Sequence, residues 1–325
     1  MLRNVKLEVT PKKNTVMRGG DIVLNGFLFD EQIDVDENNI LRENPNLLNL
    51  LLKDRTTKKN IIWATKSYEP LGKGFEADSN IRVDLITGNR VSLIRPRVEK
   101  AKYEQKERTK GKAEVYTPTW IVKKQNDIVD EDFKHLPLEE YISKVWLEIA
   151  CGEAPYMVSR YDTVTGEPIQ VKDRVGFVDR KLERISEEIN NEEEWFKYVC
   201  QAYQACYGYE FQGDSLLLAR ENLLYTFIDY YEAKFGKSPS IEQQKEITKI
   251  ISYNVFQMDG LKYTVPYTEQ DLESADSVQL NLFGEPEETE GIELNLVLPG
   301  IPVKIKDWES NQMIEFQSLT RRNEW

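Results

Sequence analysis

Three acidic side chains sit where a nucleotide-like ligand would need them. Glu148 lies in Trp146-Leu-Glu-Ile-Ala-Cys-Gly152-Glu, Glu210 ends Tyr207-Gly-Tyr-Glu, and Asp259 follows Ile250-Ile-Ser-Tyr-Asn-Val-Phe-Gln-Met and precedes Gly260-Leu. The apolar run Val145, Trp146, Leu147, Ile149 and Ala150 predicts a short buried strand. Gly152 behind it frees the backbone to turn and leaves room for a ligand against the main chain. A strand, a small-residue turn and a following helix make the cradle in which an α/β sheet holds a nucleotide-like cofactor. A carboxylate ending the neighbouring strand can accept from both ribose hydroxyls. A third acid, at the end of a third strand, can accept from an exocyclic adenine amine. Phe211 and Phe256 are of a type to stack on such a ring, and equally of a type to fill a core.

The elements that must position these residues follow from pattern and punctuation. Residues 1–90 read as mixed and largely β, with a strand over Asp21–Phe29, strands over Asn60–Ala64 and Ile81–Leu85, and a hairpin over Ile81–Ile94 turning at Thr87-Gly-Asn. A short helix begins at Asn44 or Asn46 as its cap, and another opens at Tyr116-Thr117-Pro118, with Thr117 as cap and Pro118 at the first position. Trp120, Ile121 and Ile128 of that helix are expected in the core. After the glycine turn come an inserted hairpin at Tyr161–Val171, a strand at Val175–Asp179, and a charged helical stretch over 180–205 whose Trp195, Val199 and Tyr203 share one face. A helix capped by Asp214 follows Glu210. The acidic stretch 268–300 is expected to be flexible through about residue 293, and Ile301–Leu319 to give two short strands around Asp307–Asn311. This sets domain boundaries at 1–112, 113–267 and 268–325.

Composition narrows the chemistry. With 325 residues, 40% apolar and 30% charged, the chain can bury a core as one large domain or two modest ones. No apolar run approaches the roughly 20 residues of a membrane span, and the first residues form no signal-like apolar block, which predicts a cytoplasmic protein. Three cysteines without C-x-x-C spacing argue against a disulfide framework and a zinc site; the single histidine, His135, excludes most histidine metal sites and argues against a Ser-His-Asp mechanism. A net charge of -13 disfavours general nucleic-acid affinity, yet residues 95–112 are basic. There Arg95, Arg97, Lys100, Lys102, Lys106, Arg108, Lys110 and Lys112 face Glu99, Glu104 and Glu107, eight against three, a local +5. This stretch reads either as a phosphate contact or as a solvated linker. A looser pattern, Asp84 with Glu104-Gln-Lys106, is of the kind that holds nuclease metals.

Taken in order, residues 113–262 resemble the cofactor half of an S-adenosylmethionine-dependent N6-adenine DNA methyltransferase, of the kind called restriction endonuclease subunit M. Tyr116-Thr117-Pro118 is similar to the family's aromatic-Thr-Pro element. Glu148-Ile-Ala-Cys151-Gly152-Glu153-Ala154 is similar to its Asp-Pro-Ala-Cys-Gly-Ser-Gly, with Glu, Ile, Glu and Ala as the departures. Tyr209-Glu210 with Leu218–Leu223, and Met258-Asp259-Gly260-Leu261, resemble its second and third strand ends. The resemblance implies an α/β fold with a Rossmann-like class I methyltransferase sheet behind an N-terminal mostly-β region, and S-adenosylmethionine as cofactor. Tyr116, Thr117 and Pro118 would border its methionine end, Glu148, Ala150 and Gly152 its amino-acid portion, Glu210 its ribose, and Phe211 and Asp259 its adenine. It implies direct methyl transfer to the adenine amine of DNA, driven by positioning, in a bacterial or phage restriction-modification or defence system. No Asn/Asp-Pro-Pro-aromatic segment, which in that family takes the flipped base, occurs in the chain; Asn254-Val-Phe-Gln precedes Asp259. Two classes therefore stand: an enzyme whose catalytic residues are unknown, or a DNA-recognition or partner subunit retaining the fold. Gln279-Leu280-Asn-Leu282-Phe283 resembles the peptide that docks on the bacterial sliding clamp, glutamine in a polar subsite and Leu-Phe in an apolar pocket; a local strand is the alternative.

Overall fold

The computed structural model describes residues 22–24, 27–29, 40, 44–100, 117–271 and 297–320. Contacts group the chain as Met1–Asp34 and Val35–Trp325, so residues 44–100 and 297–320 belong with the central stretch, whereas the sequence reading divides it after 112 and 267. In the first unit, β1 (Ile22–Leu24) and β2 (Phe27–Phe29) pair antiparallel, with Ile22 opposite Phe29, where a single strand was expected.

The second unit begins, among the described residues, with α1 (Pro45–Leu52). Asn44 caps it by accepting from Asn46 N–H, Pro45 fills the first turn, and Leu47, Leu48, Leu51 and Leu52 are buried. The expected strand over Asn60–Ala64 forms only isolated bridges, Lys53 with Asn60 and Ile62 with Asn80. The expected hairpin over Ile81–Ile94 is instead α2 (Val83–Ile86) and a short 3-10 turn at Gly88–Arg90. Ile81, Leu85 and Ile86 are all buried, a spacing that a helical turn brings together and a strand does not; the Thr87 hydroxyl donates to Val83 O at 2.8 Å and closes the turn.

Next comes α3 (Thr119–Asp130). Pro118, not Thr117, is its cap residue, and the first N–H, that of Thr119, goes to Asp162 Oδ2 at 2.8 Å. Val122, Asn126 and Asp130 face inward, while Trp120 and Ile128, expected in the core, are 67% and 65% exposed. α4 (Leu138–Ile142) leads to β3 (Trp146–Glu148). The strand expected at 175–179 is the start of α5 (Phe177–Glu188), because Asp179 accepts from Gly176 N–H and caps a helix. α6 (Glu192–Gln204) buries Trp195, Val199 and Tyr203 on one face, as their spacing predicts. Then follow β4 (Cys206–Glu210), the long α7 (Gly213–Phe235), α8 (Ile241–Asn254) and β5 (Val255–Gln257). β6 (Gln270–Asp271) pairs with β7 (Val297–Leu298), β8 (Lys304–Asp307) with β9 (Gln312–Glu315) around the expected 307–311 turn, and α9 (Gln317–Thr320) ends the described chain.

The architecture is mixed α/β around a three-stranded parallel sheet in the order β3-β4-β5. Parallel neighbours need long crossovers, and α5–α6 and α7–α8 supply them. The register puts Trp146, Glu148, Cys206, Gly208, Glu210 and Gln257 on one face, where Trp146 stacks on Phe177 of α5 at 5.0 Å. The other face is covered over β4 and β5 by a second core of Phe256, Met258, Val265, Val303, Ile305 and Phe316. It is bare over β3: Val145 is 72% exposed, Leu147 43% and Ile149 68%. The strand expected to be buried is therefore the end strand of the sheet with one face exposed, because among the described residues no element packs on that side of it.

Candidate functional site

The carboxyl ends of the three strands converge on the glycine turn. Glu148 is buried; Oε2 accepts from Met157 N–H at 2.9 Å and Oε1 from Tyr156 N–H at 3.2 Å. Burial pushes its carboxyl up to about 8 against those two donors, and the nearby Glu210 charge adds to the rise. Glu210 Oε2 accepts from Gly152 N–H at 2.9 Å and Oε1 from Gln212 N–H at 3.0 Å, so this acid ties the turn to the end of β4. Cys151 N–H donates to Tyr209 O at 2.8 Å, a second tie. Its thiol is buried and pushed well up, first by burial and then by Glu148 and Glu210, which withholds a thiolate.

The turn is a left-handed one. Ala150, Gly152 and Ala154 have φ of 48°, 56° and 61°. For alanine this conformation costs about 1–2 kcal/mol, and it persists where contacts over-determine it. A Cβ at Gly152 would meet nothing within 4 Å, so space lies in front of it. The contacts that fix the turn come from elsewhere. Glu153 is 1% exposed; it accepts from Arg97 N–H at 2.7 Å and Tyr161 O–H at 2.8 Å, and Asn222 Nδ2 of α7 donates to Glu153 O and Tyr161 Oη at 3.0 Å each. Thr163 of the same hairpin donates to Thr117 O at 3.2 Å, which brings Thr117 and Pro118 beside this network. The Leu218–Leu223 segment thus acts through Asn222 on the turn, and through the fully buried Arg220 on the sheet: its guanidinium donates to Val255 O at 2.8 Å, Lys53 O at 3.0 Å and Leu51 O. Gln257 completes the far side, holding Ile62 N–H and O and Phe211 O with one amide.

The remaining expected site residues fall as follows. Asp259 is half-buried beyond β5, and Oδ1 accepts from Leu261 N–H at 2.9 Å and Lys262 N–H at 3.2 Å, so it builds the next turn. Phe211 is half-buried, 6.1 Å from the Tyr267 ring; Phe256 lies in the second core against Tyr209 and Phe316 and does not face the turn. Asp214, expected as a cap, is instead in the first turn of α7, fully buried, 2.8 Å from Tyr68 Oη and 3.5 Å from Lys100 Nζ. Within the basic stretch, Arg95 is half-buried, the backbone of Arg97 is bound to Glu153, and Lys100 is buried. Tyr116, Lys102, Lys106, Arg108, Lys110, Lys112 and the Gln279–Phe283 peptide lie outside the described residues. Asp84 is an exposed partner of Arg82. Among the described residues no helix is long and apolar enough to cross a membrane. Sequence reading missed Glu153, Asn222, Arg220 and Gln257; the Leu218–Leu223 match was the one signal that touched two of them.

In comparisons with family models, curated proteins and solved structures, nothing matches this chain.

Proposed function

We propose that this chain is the cofactor-binding part of a DNA-modification protein, with a Rossmann-like sheet of the class I methyltransferase kind that binds S-adenosylmethionine and serves adenine-N6 methylation. One observation carries the reading: three parallel strands, in chain order, deliver Glu148, the Gly152 turn, Glu210 and Asp259 to the same end of the sheet. Open α/β sheets take ligands outside the carboxyl ends of their strands. Glu148 and the open side of Gly152 suit the amino-acid portion, with Thr117 and Pro118 beside it. Glu210 suits the ribose, since a carboxylate ending the strand beside the glycine turn is placed to accept from ribose hydroxyls. Asp259 and Phe211 suit the adenine. The cofactor, when bound, supplies an electrophilic methyl group; this chain's part is to bind and orient it. Calorimetric titration with S-adenosylmethionine and S-adenosylhomocysteine tests this. Binding with a Kd of about micromolar order is expected, and absence of binding for both overturns it.

The edge of β3, which no other described strand pairs with, favours a second reading, a recognition or partner subunit of a restriction or defence complex. Trp146 N–H bonds to Ala205 O, and ladder alternation turns the Leu147 N–H and C=O away from β4. Edges that stay solvent-exposed are guarded by charge, proline or bulges, and Val145–Ala150 carries none of these on its bare face. In doubly wound sheets the strand order reverses at the first strand, so a strand added here from a partner would complete the crevice. Adenine methylation of DNA by the chain alone supports the enzyme; cofactor binding without methylation supports the subunit.

A further inference from the structure

The fold gathers a basic patch from stretches that are far apart in sequence. The loop after α1 carries Lys53, Arg55, Lys58 and Lys59, and β8 carries Lys304 and Lys306. The two are fastened by Thr56, whose Oγ1 donates to Lys304 O at 3.3 Å and accepts from Lys304 N–H at 3.1 Å. Within the loop Lys53 Nζ donates to Lys58 O. Two of the cations are held by aromatic rings. The Arg55 guanidinium lies 4.3 Å from the Tyr253 ring centre and donates to Ser252 Oγ at 2.7 and 2.9 Å. Lys306 Nζ lies 5.1 Å from the same ring and 4.6 Å from that of Trp308, whose indole N–H is anchored on Asn254 Oδ1 at 2.8 Å.

Among the described residues none of these six cations forms an ion pair. Two of the acids nearby are engaged by other donors, and a third offsets one lysine. Asp54 is 3% exposed and accepts from Thr56 N–H and Thr57 N–H; Asp307 accepts from Glu309 N–H and Ser310 O–H; Glu315 faces Lys304 across the hairpin. Clustered like charges repel, and in a chain of net charge -13 such a face stands out as the footprint of an anionic partner. The rings already carry the protein's own cations, which leaves them poor platforms for bases and good braces for charges. Braced, separated cations suit the repeating phosphates of a nucleic-acid backbone.

We propose that this face grips the phosphodiester backbone of duplex DNA. None of its six cations belongs to the 95–112 stretch. Tyr253 and Asn254 immediately precede β5, so the patch lies toward the amino end of the sheet, opposite Glu148 and Glu210, and holds the duplex without entering the cofactor cradle. The choice of DNA as the source of phosphates rests on the proposed function; the charge argument does not.

The test uses fluorescence anisotropy of a labelled DNA duplex with the full chain and with the combined variant Lys58→Ala, Lys59→Ala, Lys304→Ala, three exposed positions. Between about 50 and about 200 mM salt, the slope of log affinity against log salt should fall by about 0.9 for each cation removed, and low-salt affinity by about tenfold or more. Unchanged affinity and slope, or no binding of the duplex by the unaltered chain, overturns the proposal. Equal binding of a single strand or an RNA of the same sequence, with the same dependence on the three lysines, overturns the choice of duplex DNA. An S-adenosylmethionine titration of the same proteins separates the two ideas. Patch-dependent duplex binding without cofactor binding upholds this inference and refutes the function proposed above; cofactor binding with patch-independent DNA binding does the reverse.

Discussion

Replacing Glu148 by glutamine isolates the proton that this buried carboxyl holds. Its carboxyl is raised from the ordinary 4.5 to about 8. Between these values the folded chain keeps a proton that the unfolded chain has lost, so stability falls as pH rises through the window. At 1.36 kcal/mol per pH unit the gap amounts to a ceiling of about 5 kcal/mol. Glutamine has nearly the same shape and no proton to lose. It keeps one acceptor for Met157 or Tyr156 N–H and turns its amide NH2, a donor, toward the other N–H, which costs about 1–3 kcal/mol. Near pH 5 the variant should therefore be less stable than the parent by about 1–3 kcal/mol, and near pH 9 more stable by about 2–4 kcal/mol. Asp179, another buried acid raised to about 6 by burial, titrates in both proteins and cancels in the difference. Urea unfolding followed by far-ultraviolet circular dichroism across this pH range gives both curves. Parallel curves that never cross would refute the account of Glu148 as a carboxyl kept protonated by burial.

The cradle makes further predictions. Glu210→Ala should weaken S-adenosylmethionine binding by about 1.5–3 kcal/mol, the loss of a charged acceptor; calorimetry showing equal affinity would remove Glu210 from the site. Because the cofactor's amino-acid portion carries an ammonium group, its binding beside Glu148 should favour the carboxylate and expel a proton. Affinity should then rise with pH up to about 8, and the calorimetric heat should track the ionisation heat of the buffer; a buffer-independent heat speaks against that contact. Gly213→Ala would set a Cβ 2.0 Å from the backbone oxygen of Ile62, and thermal unfolding should show a loss of about 3 kcal/mol or more. Ala150→Gly relieves a left-handed alanine whose side chain is exposed and should leave stability level or raise it by up to about 1 kcal/mol; a marked loss would mean the methyl group has a contact that the geometry does not give it.

Local signals were legible where one residue settles the backbone. Asn44-Pro45 announces α1, and Asp307–Asn311 announces the hairpin of β8 and β9. Asn25-Gly26, a strong hairpin signal, stands in the sequence between β1 and β2, inside a run whose apolar character alone reads as one strand. Ile81, Val83 and Leu85 fit the period of two of a strand, and the helical turn shows only in Ile86, which is buried although in a strand it would point to the opposite face. Val145–Ala150 shows the opposite failure. An apolar run reads as buried on both sides, but whether a neighbouring strand and layer exist is decided by the rest of the fold.

The cradle itself was legible only as far as its own residues. Glu153 was visible as a departure from serine and Ala154 as a departure from glycine, but their partners Arg97, Tyr161 and Asn222 lie 56, 8 and 69 positions away. Those partners change what the departures mean. A glycine at 154 would adopt φ near 61° without strain, whereas alanine needs the surroundings to hold it there. The surroundings do so: Glu153 is locked by two donors on its carboxylate and one on its carbonyl, Cys151 is stitched to β4, and Gly152 to Glu210. The turn is rigid because α7 and the 161–168 hairpin clamp it, not because its residues favour it. Contacts from outside the turn therefore hold Glu153 and Ala154 in place, and Asn222, far from the glycine in sequence, is a residue on which the shape of the turn depends.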